Sequence, residues 1–399
     1  MNDMKVAKTK RIFKKIGELL EIRAIERNIG LLLDRPIALD TIVFDDIDSL
    51  LGFAEFFKKN MSQFGFRYTD DESIMAGMVM SVIGGLDKVD ESLIPPDVFH
   101  AIIKESHMFH VGEIKGNPYM KNITLDGDVL SKRFKLSHAG FEAFEMFHYS
   151  TPVRGPYGIM IPRIGAADHP FSAINILEDV EAWMSVTPNE MVTMDRPITE
   201  AHGKVLTLGC GLGYYAYMVS LKEDVETVTI IERSDEVIDL FKEHILPQFE
   251  HREKISVIKA DAFDYVRDLN DGAFDYCFAD IWKNNLEPIP YLKMKQLCRK
   301  FRAMKMSYWI EDSIVASLMC WVSIIIMDSF YEEMGMTGNA DVVELKRMIR
   351  EDLTDEERAI FLFMRKILAN EEITRPEQID WYMDYRNIIH LFDKSDVLI

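Results

Sequence analysis

Between residues 204 and 310 short runs rich in Val, Ile and aromatics alternate with helical runs, and this alternation constrains the fold more than any other feature of the chain. Runs at 204–208, 227–231, 255–259, 274–279 and 306–310 read as strands. The stretches 214–221, 235–245, 262–269 and 291–301 between them read as helices. Strands separated by whole helices do not pair as hairpins, so the pattern predicts a mostly parallel sheet with helices on both faces. The first strand runs straight into Gly209-Cys210-Gly211-Leu212-Gly213 and then into a helix. Glycines at this spacing allow a tight turn and let a ligand approach the backbone. A dinucleotide fingerprint would place another glycine at Tyr214, so the loop argues against a nicotinamide-dependent oxidoreductase.

Three further features fall at the carboxyl ends of successive strands, where open α/β sheets bind ligands. The second strand ends in Glu232, placed to accept hydrogen bonds from both hydroxyls of a ribose. The third ends in Asp261-Ala262, an acid for an adenine amino group beside an apolar contact for the ring. The fourth ends in Asp280-Ile281-Trp282, an acid and an aromatic at the same edge. Each acid alone could cap a helix or turn; the ordered set points to a nucleotide site.

These residues resemble the class I S-adenosylmethionine-dependent methyltransferases, and over residues 178–282 the likeness is closer to their spermidine synthase-like branch. It is carried by the glycine loop, by Val225-Glu226-Thr227-Val228-Thr229-Ile230-Ile231-Glu232 followed by Val237-Ile238, by Leu246-Pro247, Asp261-Ala262 and Phe274-Asp275-Tyr276, and upstream by Asn189-Glu190 and Arg196-Pro197. The resemblance implies a Rossmann-like fold, S-adenosylmethionine as cofactor with S-adenosylhomocysteine as product, and no metal. It implies cofactor contacts from Gly209, Gly211, Gly213, Glu232, Asp261 and Ala262, with Asp280 orienting the nucleophile or accepting its proton. Trp183, Tyr214 and Trp282 are weaker candidates for packing on the substrate.

The departures from that branch bear on the reaction. Aminopropyl-transferring members carry an acid inside the glycine loop, where this chain has Leu212, and a carboxylate there would repel the carboxylate of intact S-adenosylmethionine. Met184 stands where that branch has Gln, and Asp280-Ile281-Trp282-Lys283-Asn284-Asn285 keeps only one acid of an Asp-rich motif. Thr207 replaces the acid that other class I members have two residues before the first glycine. Methyl transfer to an unidentified small molecule or protein is therefore the favoured activity. Aminopropyl transfer from decarboxylated S-adenosylmethionine and a non-catalytic nucleotide-binding or interaction role stay open.

The flanks are read from pattern alone. Residues 1–115 are expected to form a helical N-terminal region, with helices at 45–59, 71–83 and 97–110. A mixed or β segment is expected over 116–190, the Rossmann-like domain over 191–312 and a helical extension over 313–399, with 341–350 and 355–368 the plainest helices. Thr187-Pro188-Asn189-Glu190 has the form of a capping box. His107 and His110 would share a face of the helix 97–110, without a third ligand at metal-binding spacing. The apolar uncharged run 313–327 is shorter than the roughly 18 residues a bilayer span needs, so a buried helix and no membrane association are expected.

Charge separates partner classes. Against 46 Lys+Arg stand 66 Asp+Glu, a net −20 that does not favour a polyanionic partner such as nucleic acid. Residues 1–33 run against the whole: eight basic and four acidic side chains make this amphipathic arm +4. It is suited to docking on an acidic surface of the chain's own body or of a partner subunit, and a homodimer through the helical flanks is one expectation. Four cysteines, Cys210, Cys277, Cys298 and Cys320, with no C-x-x-C spacing, and an N-terminus without a secretion signal fit a cytoplasmic location.

Overall fold

A sheet of five parallel strands organises the centre of the chain, as seen in a computed structural model. The structure describes residues 11–26 and 29 apart from 13, 20 and 24, residues 47–84 and 94–333 apart from 64, 180 and 286, the helix 355–368, and 376–382 with 384 and 387. The expected helix 341–350 lies outside the described residues. The chain divides into two units: Ala24–Asp280 with Phe301–Trp309, and Met1–Arg23 with Ile281–Lys300 and Ile310–Ile399.

The larger unit begins with helices α1 (Ile47–Gln63), α2 (Asp70–Gly84) and α3 (Pro96–Lys104). A reciprocal capping box starts α2: the Glu72 N–H donates to Thr69 Oγ1 at 3.1 Å and the Thr69 N–H to Glu72 Oε2 at 2.6 Å. The helix expected over 97–110 stops at Lys104. The backbone beyond it instead forms strand β1 (His107–Phe109), paired in parallel with a later strand through His107 and Gly165, so tertiary pairing overrides the helical pattern. His107 and His110 therefore do not share a helix face. His107 packs edge-on against Phe109, with ring centroids 4.4 Å apart, while His110 Nδ1 lies 2.9 Å from Asp168 Oδ2.

Two short helices, α4 (Val111–Gly116) and α5 (Pro118–Asn122), lead to six strands: β2 (Val129–Leu130), β3 (Phe134–Phe141), β4 (Met146–Arg154), β5 (Met160–Ala167), β6 (Phe171–Glu178) and β7 (Glu181–Ser185). They form an antiparallel sheet of order β2-β3-β6-β7, and a mixed sheet of order β1-β5-β4 in which β4 and β5 are antiparallel. Stacked Phe141 and Phe171, with centroids 4.7 Å apart, lie opposite one another in the β3–β6 ladder.

Helix α6 (Pro188–Glu200) then delivers the chain to the parallel sheet: β8 (Gly203–Leu208), α7 (Tyr214–Ser220), β9 (Val225–Glu232), α8 (Asp235–Leu240), β10 (Ile255–Lys259), α9 (Ala262–Asp268), β11 (Tyr276–Ala279) and β12 (Lys305–Tyr308). The spatial order is β10-β9-β8-β11-β12, with every pairing parallel. This is an α/β fold with a Rossmann-like sheet. The chain winds outward from β8 to β10, then crosses back to β11, and right-handed crossovers in opposite directions place helices on opposite faces. The central strands are accordingly buried on both sides: Val205, Leu206 and Leu208 in β8 and all of Tyr276–Ala279 in β11.

The smaller unit is helical among its described residues, with α10 (Pro288–Leu297), α11 (Glu311–Glu333), α12 (Asp355–Leu368) and α13 (Pro376–Tyr382). The apolar run in α11 is a core element: Ile314, Val315, Leu318, Val322 and Ile325 are buried, and Asp328, also buried, has its carboxylate 3.6 Å from the Arg365 guanidinium of α12. No described helix is long and apolar enough to cross a membrane. In the basic N-terminal arm, Ile12, Ile16 and Leu19 are buried and Lys15 pairs with Asp380 of α13 at 2.7 Å.

One buried polar atom breaks the packing rules of the larger unit. Tyr215 of α7 stacks on Phe278 of β11, with centroids 4.3 Å apart, yet its hydroxyl meets no hydrogen-bond partner among the described residues. An unpaired buried hydroxyl carries a desolvation cost of about 1–3 kcal/mol. Tyr215→Phe is therefore expected to leave stability unchanged or raise it in urea unfolding. A loss of more than about 1 kcal/mol would show that the hydroxyl is bonded after all.

Candidate functional site

The loop after β8 takes its shape from three backbone conformations that side chains resist. Gly209, Gly211 and Gly213 have φ of +100°, +48° and +71°. At Gly213 there is no room either, since a Cβ would lie 2.4 Å from Phe241 Cε2. The loop is tied to its surroundings from three sides. The Gly209 N–H donates to the Ile231 carbonyl at 2.9 Å. The Cys210 N–H donates to Glu232 Oε2 at 3.1 Å, while Oε1 of the same buried carboxylate takes the Ser234 N–H at 2.8 Å. From α5, the fully buried Tyr119 donates its hydroxyl to the Leu212 carbonyl at 2.6 Å.

Beside this loop is a cavity lined by Met184, Glu190, Met194, Thr207, Tyr214 and Asp280, together with Gly209 and Gly213. It sits at the carboxyl ends of β8 and β11, the neighbours between which the strand order reverses. That crevice is where open α/β sheets take their ligands. Asp280 is fixed there by its own N–H, which donates to the Leu208 carbonyl at 2.9 Å. Glu190 and Met194 stand one helical turn apart on α6 and so present to the cavity together. Asn117 Nδ2 donates to Tyr214 Oη at 3.0 Å and orients that ring at the rim.

Two carboxyls in one poorly solvated cavity cannot both ionise freely. Burial raises the Asp280 pKa to about 7, and the nearby Glu232 charge adds to the effect. Burial, and then the charge of Asp280, push Glu190 well above the usual carboxylate range. The Asp280 charge opposes ionisation of Glu190, so the two carboxyls do not titrate independently. Burial raises Tyr214 to about 12 against the opposing hydrogen bond from Asn117, and raises the Cys210 thiol well above its usual value.

The structure brings together part of the residue set read from sequence. Gly209, Gly213, Tyr214 and Asp280 line the cavity, Gly211 sits within the same loop, and Glu232 is bonded to that loop. Asp261 caps α9, its Oδ1 accepting the Phe263 N–H at 2.8 Å and the Asp264 N–H at 3.2 Å, with Ala262 buried next to it. Trp183 does not line the cavity: strand alternation in β7 turns it onto Phe134, with centroids 5.2 Å apart, and turns Met184 toward the loop instead. Trp282 belongs to the smaller unit, where it is buried edge-on to Tyr291.

Glu190, Met184 and Tyr119 escaped the sequence reading as site residues. The spacing of Glu190 from Thr187 predicts a capping box, but the Thr187 side chain makes no capping bond and Glu190 lines the cavity. The usable signal was its i, i+4 spacing to Met194 on a helix that ends just before β8.

No family profile and no curated protein sequence matches the chain. Among solved structures it is similar to spermidine synthase from Thermotoga maritima, at 15% identity over 48% of this chain and 61% of that one, with a TM-score of 0.29. It is also similar to a spermidine synthase in complex with the transition state analogue AdoDATO, at 17% identity over 46% of this chain and 55% of that one, with a TM-score of 0.27. A third similarity is to the Trypanosoma brucei PRMT1 enzyme–prozyme heterotetrameric complex with AdoHcy, at 18% identity over 30% and 37% of the two chains, with a TM-score of 0.23. The chain thus spans less than two thirds of the length of each.

The carboxyl pair predicts a pH dependence of stability. Unfolded carboxyls titrate near pH 4, whereas the folded pair holds its protons to about pH 7 and beyond. The folded state thus binds more protons across this interval. The pair's contribution is complete below about pH 4 and falls as pH rises through about 7. Urea unfolding at pH 5 and pH 7.5 should show a smaller loss between the two for Asp280→Asn than for the unaltered chain. Equal losses would mean that Asp280 is well solvated.

Proposed function

We propose that this chain is an S-adenosylmethionine-dependent methyltransferase whose acceptor is an amine. The observation that carries the reading is a convergence: the glycine loop after β8 and the acid ending β11 line the crevice where the strand order reverses, and the acid ending β9 is hydrogen-bonded to that loop. The residues present fit an adenosyl cofactor. Each oxygen of Glu232 accepts one backbone N–H and keeps lone-pair capacity for a ribose hydroxyl. Asp261 spends Oδ1 on the α9 cap, which leaves Oδ2 for an adenine amino group, with Ala262 as the apolar neighbour. Gly209, Gly211 and Gly213 let such a ligand lie against backbone.

S-Adenosylmethionine supplies, when bound, a methyl group already activated by its sulfonium. The chain's task is to align the acceptor, exclude water and manage one proton. An ammonium entering the cavity stabilises negative charge on both Asp280 and Glu190, and so lowers the pKa values that burial has raised. Ionised Asp280 accepts a proton from the bound ammonium and exposes the nitrogen lone pair. Glu190 keeps a second acceptor for a remaining N–H. Tyr214, held by Asn117, closes one wall.

Glu190 also favours a second reading, aminopropyl transfer to an amine, since it provides a second carboxyl for a cationic acceptor. Leu212 weighs toward methyl transfer, because no acid in the loop repels the carboxylate of intact S-adenosylmethionine. Incubation with each donor and a panel of amines, read by mass spectrometry, separates the two by the mass added.

The cofactor assignment is checked by calorimetry with S-adenosylhomocysteine. Glu232→Gln, which keeps the shape but not the charge, should weaken binding by about 1.5–3 kcal/mol, roughly 10- to 150-fold. Unchanged affinity in the folded variant removes the assignment. For the acceptor step, Asp280→Asn should lower kcat by about 10²- to 10⁴-fold and abolish a rise in kcat/KM through about pH 7, the range of the ligand-free carboxyl. A variant that keeps that pH profile would show that Asp280 is not the proton acceptor.

A further inference from the structure

The space in front of the glycine loop already holds a side chain. Met184 reaches from β7 so that its Sδ lies 3.2 Å from the Leu212 N–H, which donates to it. A Cβ built on Gly211 would fall 2.0 Å from that sulfur and 2.5 Å from Met184 Cε. The thioether thus fills the notch left by the missing Gly211 side chain. It caps the same backbone that a ligand lying on the loop would need, and Met184 also lines the cavity with Glu190 and Asp280.

From this geometry, and resting on the cofactor reading above, we infer that Met184 is an intramolecular occupant of the loop subsite that a ligand must displace, and that it sets the affinity for the cofactor. The chemistry suits such a role. A thioether is a weak acceptor, so the Leu212 N–H loses little when a ligand atom replaces it. Methionine is unbranched and has several rotatable bonds, so the side chain can swing aside with no backbone movement. Strand alternation restricts where it can go: Trp183, packed on Phe134, holds the opposite face of β7. When the ligand-competent state is only a fraction of the population, the apparent affinity falls by that fraction, and removing the occupant restores it.

The test is calorimetry of S-adenosylhomocysteine on the full chain, with folding of each variant checked by thermal melting. Met184→Ala, which empties the notch, should bind about tenfold tighter or better than the unaltered chain. Met184→Leu, which keeps the bulk and lacks the sulfur, should stay within about threefold of it. Equal affinity for Met184→Ala and the unaltered chain, or weaker binding by Met184→Ala, overturns the inference while leaving the cofactor reading intact. Tightening by Met184→Leu equal to that of Met184→Ala also overturns it, since bulk would then not be what blocks the loop. Absence of binding to both the unaltered chain and Met184→Ala overturns the cofactor reading and this inference with it. Amide hydrogen exchange provides a ligand-free readout: Leu212 should exchange faster in Met184→Ala, and unchanged exchange would show that the thioether does not cap it.

Discussion

A single buried carboxylate ties the glycine loop to the sheet. Glu232 ends β9 and accepts the Cys210 N–H from the loop after β8 and the Ser234 N–H from the turn into α8. Backbone donors in a tight turn beside buried strands have no water to bond, and leaving one unpaired is costly. The carboxylate satisfies one donor on each side and so fixes where the loop lies relative to β9. With Tyr119 holding the Leu212 carbonyl from α5, the three positive-φ glycines are locked into one arrangement. The cavity, the placement of Asp280 and the position of Met184 are all defined against that arrangement.

The same carboxylate adds to the electrostatics of the cavity. Burial raises the Asp280 pKa to about 7 and the Glu232 charge adds to it, while burial and then the Asp280 charge oppose ionisation of Glu190. Two acids lining one crevice, with Glu232 bonded to the loop beside it, favour a cationic guest and disfavour an anionic one, in the same sense as the net −20 of the chain. The local arrangement carries more chemical information than the net charge, because it specifies which acids face the cavity.

Much of the sheet was legible because its signal is local. The alternation of short β-branched runs with helices marked the five parallel strands, and the strand read over 255–259 is the strand observed, β10. What escaped depended on pairing between distant segments. Thr69-Asp70-Asp71-Glu72 and Thr187-Pro188-Asn189-Glu190 have the same capping-box spacing, yet only the first forms the box. At the second, the glutamate turns into a cavity formed by residues that are distant in sequence. His107 and His110 resemble a helical pair until pairing with β5 draws His107 into a strand. Which face of β7 Met184 occupies follows from its antiparallel register with β6, which carries an irregularity between Ile176 and Leu177, and no periodicity in five residues reveals that.

The cofactor site is defined by what the glycine loop holds. A crystal structure of the full chain grown with saturating S-adenosylhomocysteine tests it most directly. The adenosyl group is expected at the carboxyl ends of β8 and β9, with ribose hydroxyls within about 2.5–3.0 Å of the Glu232 carboxylate and the Met184 side chain moved off Leu212. A loop still capped by Met184, with the ligand absent or bound elsewhere, would contradict it.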